Sequence, residues 1–244
     1  MIEHFYVTDP GKVRERNEDS VIIVKNTANE YFLAVADGMG GHTGGEIASS
    51  LAIGHLGKRF KETSSIGNKE DAINWLKEMV SEANFEIYKY TSSNPENTGM
   101  GTTLVCAIVT NEFLLFGNIG DSSGYIVSNN KLYKITKDHT LVNLLVSTGE
   151  LTAEEAKDHP RKNVLMKALG AHTSVEMDIF DVESSYQGVI LFSDGVTNML
   201  DDGQLERVLN EKLTVEEMVK KIVTKSNNRG GNDNISVAYL KRGE

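Results

Sequence analysis

Five acidic stretches stand where apolar runs begin or end, and four of them carry glycine close by. AVADGMGGHTGGE, from Ala34 to Glu46, closes an apolar run on Asp37 and continues with five glycines between Gly38 and Gly45. GNIGDSS places Asp121 after one apolar run, and VILFSDGVT places Asp194 after another. GGNDNISVAYL places Asp233 just before the last run, and RERNEDS places Glu18 and Asp19 before the second. Taken singly, each such acid is a turn residue or cap more often than a ligand. Their repetition beside glycine points to a shared task. Gathered carboxylates without a partner repel one another. Convergence therefore calls for cations, and an all-oxygen donor set selects magnesium or manganese over zinc. No Cys/His set has zinc-ligand spacing. Two such cations serve in-line displacement at phosphorus. Spacing alone does not establish that the acids meet in space.

The glycine-rich loop fits neither common phosphate cradle. There is no G-x-x-x-x-G-K-[ST] run. A dinucleotide fingerprint finds Gly38 and Gly40, but Thr43 holds its sixth place. An acid directly before the first glycine also repels phosphate. A flexible surface loop is the competing reading. An acid at a strand tip beside bare backbone suits a bound cation better, because glycine lets the main chain approach a ligand closely.

These acids need strands to carry them. Runs rich in Val, Ile, Phe and Tyr predict strands at Phe5–Thr8, Ser20–Val24, Tyr31–Ala36, Thr102–Val109, Phe113–Ile119, Tyr125–Val127, Leu132–Ile135, Val175–Phe180, Val189–Ser193 and Ile235–Leu240. SNNK between two of them reads as a hairpin turn. Apolar periodicity predicts helices over about Gly45–Phe60 and Lys69–Thr91, the second with Ile73, Leu76, Val80, Ala83 and Ile87 on one face. Thr152 with Glu155 and Thr214 with Glu217 have capping-box spacing. Two helices in succession, then strands without helices between them, disfavour a parallel βαβ sheet and favour antiparallel sheets covered by helices. The polar, helical segment 138–170 reads as an excursion from the core, a flap.

The chain has 244 residues, 39% apolar and 25% charged, as globular proteins do. That length buries a sizeable core without disulfides. A formal net charge of −10 argues against nucleic acid or an anionic membrane as partner. The N-terminal MIEHFYVTDPGK does not read as a signal peptide, and no apolar run approaches membrane-spanning length. The single cysteine, Cys106, sits in apolar TTLVCAIVT and reads as a buried small hydrophobe. A cytoplasmic location is the expectation.

Seven ordered motifs cover nearly the whole chain: TDPGKVRERNED, ADGMGGHTGGEIAS, GMGTTLV, GNIGDSS, DHTLVNLLVSTGELTAEEAKDHPRKNVLMKALG, LFSDGVTNML and GGNDNISV. With them the chain resembles the metal-dependent type-2C Ser/Thr protein phosphatases in their compact bacterial form. The resemblance implies an α+β fold, a four-layer α-β-β-α sandwich of two antiparallel sheets flanked by helices, formed by residues 1–244 as one catalytic domain. It implies that Asp37 bridges two divalent cations, manganese or magnesium, and that the Gly38 carbonyl binds one of them. Asp194 and Asp233 would complete the first ion's shell. Glu18 would serve the second through water, with Asp19 nearby. Asp121, with Asp194, would hold a weaker third ion. Arg14 would clamp the substrate phosphate, where a planar guanidinium matches two phosphate oxygens. Water shared by the two cations would attack phosphorus directly, with no phosphoenzyme.

Two departures from the family pattern stand out. Animal members carry histidine directly after the Asp-Gly pair, where this chain has Met39. His42 is the nearest candidate for the general acid, with a metal-bound water as the alternative, and His159 in the flap could touch substrate. Relatives usually read Gly-Asp-Ser-Arg where this chain has Gly120-Asp121-Ser122-Ser123, which bears on the third ion. The expected partners are phosphorylated proteins and a cognate Ser/Thr kinase, with the enzyme a monomer. A phosphoprotein-binding pseudo-enzyme is disfavoured by the intact Arg14, Asp37, Asp194 and Asp233. A phosphatase dedicated to a small anti-sigma-type regulator is disfavoured by the lack of room for a sensor domain.

Overall fold

The computed structural model describes residues 2–41, 43–183 and 185–243. In chain order its main elements are β1 (Ile2–Asp9), β2 (Asp19–Lys25), β3 (Tyr31–Met39), α1 (Gly44–Glu62), α2 (Lys69–Ser93), β4 (Gly101–Thr102), β5 (Leu104–Val109), β6 (Leu114–Ile119), β7 (Ser123–Ser128) and β8 (Lys131–Lys134). They continue with α3 (Leu141–Ser147), α4 (Ala153–Lys157), β9 (Asp178–Asp181), β10 (Gly188–Phe192), α5 (Asp194–Thr197), α6 (Asp202–Leu209), α7 (Val215–Asn228) and β11 (Ile235–Arg242).

Among the described residues the strands form two antiparallel sheets. One has the order β1-β11-β10-β7-β8, the other β2-β3-β5-β6-β9, with β4 added beside the end of β3. Strand alternation explains the layering, since successive side chains point to opposite faces. Leu33 and Val35 of β3, with Val105 and Ala107 of β5, meet Val189, Leu191, Ala238 and Leu240 of the other sheet. Their neighbours Phe32, Ala34, Ala36, Leu104 and Cys106 point outward under α1 and α2, against Leu56, Phe60 and Leu76. Ile190, Phe192, Val237 and Tyr239 likewise pack under α5, α6 and α7. The result is the expected α-β-β-α sandwich.

Local chemistry sets the element ends. Asn68 and Asp71 form a capping box on α2, and the Thr152/Glu155 and Thr214/Glu217 boxes form on α4 and α7. Asn129 and Asn130 take positive φ of 49° and 62°, the geometry of a two-residue hairpin turn between β7 and β8. Cys106 is fully buried, and burial pushes its thiol up to about 12, so it serves as core. No described helix is long and apolar enough to cross a membrane.

Several boundaries differ from the sequence reading, β1 for instance running from Ile2 and not Phe5, and three of the differences concern how strands are placed around the site or the core. β3 does not stop at Ala36: Gly38 and Met39 pair with Thr102 and Gly101 of β4, so Asp37 lies within a strand and not at its tip. The strand expected over Val175–Phe180 forms only from Asp178, and Val175, ahead of it, packs against the core under α1 and α2 without pairing to a strand. The run Thr102–Val109 is split into β4 and β5 at Thr103.

Candidate active site

A cavity of about 440 Å³ opens at one end of the sandwich, lined by Arg14, Glu18, Asp37, Gly38, Met39, Gly40, Thr103, Asp121, Asn163, Leu165, Asp194, Asp233 and Asn234. Glu18, Asp37, Asp121, Asp194 and Asp233, separated by as much as 215 positions in the sequence, thus share one wall-to-wall space. Each arrives on a different edge of the two sheets: ahead of β2, within β3, between β6 and β7, at the start of α5, and ahead of β11. Asp19 lies just behind them and is buried.

The β2–β3 register puts Asp19 directly opposite Asp37. Like charges facing each other across a ladder are unfavourable. Burial, then the neighbouring acids, push Asp37 well above the usual carboxylate range. Asp19 is pushed up to about 7 by burial above all, although the Ser193 and Ser236 hydroxyls nearby oppose the shift. Ser236 in fact turns its hydroxyl to Thr8 Oγ1 at 2.8 Å. Neither Asp19 carboxylate oxygen, nor Asp194 Oδ1, has a hydrogen-bond partner among the described residues. Burial and Asp194 push Asp121 to about 7. Asp194 and Glu18 are also raised, burial being the largest cause for each. One buried and several half-buried acids held against one another, with orphaned oxygens, have the donor chemistry of a hard-cation site. Among the described residues no three acidic, histidine or cysteine side chains close tightly enough to hold an ion at one point. Two carboxylates are turned to other partners: Asp233 accepts from Arg14 Nη2 at 2.8 Å, and Asp194 Oδ2 accepts from Asn198 at 3.0 Å.

Arg14 stands at the rim with a half-exposed side chain. Its guanidinium is held charged chiefly by Asp233. The bond to Asp233 uses one N–H of the guanidinium, which also lines the cavity and has four further N–H donors. Gly38 answers a packing need: a Cβ there would collide with the Gly45 backbone and stand 2.5 Å from the Glu18 carbonyl oxygen. A Cβ on Gly45 would come within 2.9 Å of Glu18 Oε2. The two glycines let the loop after Asp37 fold back against Glu18.

Sequence reasoning missed the residues that hold these acids through the backbone. Thr103 Oγ1 accepts the Asp37 N–H at 2.9 Å, Thr103 N–H returns a bond to the Asp37 carbonyl at 2.9 Å, and Thr102 Oγ1 donates to the same oxygen at 2.9 Å. Ser122 backs Thr103 at 2.8 Å. Asn234 accepts the Glu18 N–H at 2.9 Å while its amide donates to the Pro10 and Arg16 carbonyls. The paired threonines of GMGTTLV and the asparagine of NDNIS were visible signals, but neither residue type announces a backbone clamp.

Other expected residues fall variously. Met39 lines the cavity. His42 lies outside the described residues. His159 does not line the cavity; its Nδ1 accepts the Arg161 N–H in a local turn. Asn163 and Leu165 bring segment 138–170 to the cavity wall. Ser123 sits 3.4 Å from both the Asp121 carbonyl and Asp138 Oδ1, at the outer limit of hydrogen bonding. Asp138 is paired instead with Lys134 at 2.7 Å.

A two-sheet sandwich with an oxygen-only acidic cavity and a guanidinium at its rim defines a class of enzyme suited to phosphate esters. The model of the protein phosphatase 2C family matches residues 12–236. The serine/threonine phosphatase stp of Listeria monocytogenes is 42% identical over 236 residues, covering 96% of this chain and 94% of that protein. The structure of the Streptococcus agalactiae serine/threonine phosphatase superimposes over the whole of both chains with a TM-score of 0.94 at 34% identity. That of the PstP catalytic domain in complex with two manganese ions gives 0.85 at 32% identity, covering 98% of this chain and 97% of that one. The chain belongs to the protein phosphatase 2C family, and its activity is that of a protein serine/threonine phosphatase.

Proposed function

We propose that this enzyme is a divalent-cation-dependent phosphatase that removes phosphate from phosphoserine and phosphothreonine of cytoplasmic proteins, opposing a Ser/Thr kinase. The observation that carries the metal dependence is the facing of buried Asp19 and half-buried Asp37 across the β2–β3 ladder, beside four further acids, Glu18, Asp121, Asp194 and Asp233. The two manganese ions of the PstP structure support the same reading. Asp37, the Gly38 carbonyl, Asp194 and Asp233 would hold the first ions with Glu18 and Asp19, and Asp121 with Asp194 a third. When bound, such cations acidify water for attack on phosphorus and offset the charge of the phosphate oxygens.

The chain's own residues do the rest. Arg14 binds the phosphate dianion and orients it by a forked pair of hydrogen bonds. Thr102 and Thr103 fix the Asp37 backbone, so its carboxylate meets the reaction centre in one orientation. Leu165 and Asn163 of the flap 138–170 narrow the entrance and limit bulk water. Residues 1–244 act together as one catalytic domain and work as a monomer.

The test is hydrolysis of phosphothreonine and phosphotyrosine peptides with manganese, with and without chelator, by the native enzyme and Asp37→Asn. The native enzyme should prefer phosphothreonine, fall silent with chelator and recover with manganese. Asp37→Asn should remain folded and lose turnover. A folded Asp37→Asn enzyme with native rates would remove Asp37 from the site.

A further inference from the structure

Away from the acidic cavity, a second concave site of about 470 Å³ lies between α6 and α7, lined by Leu200, Gln204, Arg207, Lys225, Asn228 and Arg229. Three of its six lining residues are cationic and none is acidic, in a chain of net charge −10. Among the described residues none of these three cations belongs to an ion pair, although eight Lys or Arg ion pairs occupy other charges. Two acids of the same helix are engaged elsewhere, Asp201 capping α6 by accepting the Gln204 N–H at 2.8 Å and Glu206 accepting the Leu132 N–H at 3.0 Å, and the helix's other acid, Asp202, does not line the groove.

Both guanidiniums are held by the backbone and keep further donors open. Arg207 Nε donates to the Gly203 carbonyl at 3.1 Å, and Arg229 Nη1 to the Met199 carbonyl at 3.4 Å. A tethered planar fork loses less freedom on binding an anion than a free lysine does. The groove also stands close to the acidic cavity in the chain. Arg229 is tied to Met199, and Asn198 before it reaches back to Asp194. Five residues of mostly helical backbone, at 1.5 Å each, separate Asp194 from Met199 by roughly 8 Å. On the other side, Arg229 precedes Asp233 by four positions. An extended peptide advances roughly 3.3–3.6 Å per residue, so two to three residues span the distance to Met199, and a side chain about three to five residues from the reacting one extends past it to the groove that Arg229 lines.

We infer that this groove is a substrate-docking subsite for an anionic side chain, carboxylate or second phosphate, set about three to five residues from the phosphorylated serine or threonine. It rests on the phosphoprotein substrate proposed above. The protein would then favour phosphosites in acidic surroundings, which its own net charge would otherwise repel. Arginine forks match both carboxylate and phosphate, so both sources are tried.

Three phosphothreonine peptides decide it: one with alanine at the flanking positions, one with aspartates there, and one with a second phosphothreonine. They are compared on the native enzyme and on Arg207→Glu/Lys225→Glu, with manganese. For exposed charges the native KM should be roughly 3- to 10-fold lower for an anionic peptide than for the alanine peptide, and the advantage should fade with added salt. The double variant should reverse the preference and leave the alanine peptide unchanged. A larger gain with phosphate than with aspartate identifies a second phosphosite as the source; the reverse identifies acidic residues. In parallel, amide chemical shifts of the native protein are followed during titration with the unphosphorylated aspartate peptide, which needs no turnover. Shifts should cluster at Leu200, Arg207, Lys225 and Arg229. No discrimination between peptides, or equal loss on all three in the variant, or no shifts in the groove, overturns the docking site. Loss of turnover on every peptide with shifts intact would instead overturn the phosphatase reading alone.

Discussion

Arg14 and Asp194 should fail in different ways when removed, because they meet charge at different moments. In the proposed clamp, Arg14 would face phosphate oxygens that are anionic before attack, so its contact would be made in ground and transition states alike. Arg14→Ala should therefore chiefly raise KM, the mark of lost uniform binding. A charge-assisted hydrogen bond is worth about 1.5–3 kcal/mol, which sets a loss of about 10- to 100-fold in kcat/KM. The side chain is 52% exposed, so solvent screening puts the expected loss at the lower end. Asp194 lines the acidic wall, and in the proposed role it would hold a cation that meets developing charge, so Asp194→Ala should appear in kcat. Steady-state kinetics of both variants on one phosphothreonine peptide at saturating manganese separates them. If Arg14→Ala cut kcat as deeply as Asp194→Ala with KM unmoved, the clamp assignment would fall. At this scale the acids were legible because carboxylates beside glycine at the ends of apolar runs are conspicuous. Thr103 and Asn234 were not, because they act on the main chain of Asp37 and Glu18, and such bonds leave no trace in residue type.

The site depends on where β3 ends, and β3 ends later than its apolar run does. An unbroken run of buried apolar residues marks Phe32 to Ala36, but pairing beyond that point is made by Gly38 and Met39 with β4, residues that carry no strand signal. The bounds of β9 also depart from its β-rich run, where Val175 packs against the core without pairing to a strand. Asp37 is consequently held on one side by Thr102 of β4 and by Thr103 at the β4–β5 junction, opposite Asp19 of β2. That grip gives a prediction at the level of the element. Thr103→Val keeps the shape of the side chain and the Thr103 N–H bond to the Asp37 carbonyl. It removes the hydroxyl that accepts the Asp37 N–H and meets Ser122. A buried donor left without a partner costs about 1–3 kcal/mol. Thermal unfolding should show a loss of that order, and kcat should fall by about 10-fold while far-UV circular dichroism is unchanged. A variant with native stability and native kcat would show that the strand alone holds Asp37.

For the molecule as a whole, five acids in one cavity make stability depend on pH and on cation together. In metal-free protein the folded-state values of Asp19 and Asp121 are about 7, and those of Asp37 and Asp194 are raised as well. An unfolded aspartate titrates at about 3.9. Between about pH 4 and 7 the folded state therefore binds more protons than the unfolded state. Stability must fall as pH rises through that window. Cations that bind only the folded, deprotonated site act in the opposite sense, adding about 2.7 kcal/mol at a hundredfold excess over Kd. For a chain of this size that is roughly 5–10 °C in Tm. With chelator, Tm should be higher at pH 5.5 than at pH 8, and manganese should narrow or reverse the difference. Net negative charge also grows with pH and destabilises the whole fold, so a control is needed. Asp19→Asn removes one of two facing carboxylates, whereas Asp158→Asn removes the same charge from an exposed position. The chelated Asp19→Asn protein should gain stability at pH 8 and lose part of its pH dependence, while Asp158→Asn should do neither. Equal behaviour of the two variants would assign the pH dependence to overall charge, and the opposed pair on β2 and β3 would no longer be the reason the fold calls for a cation.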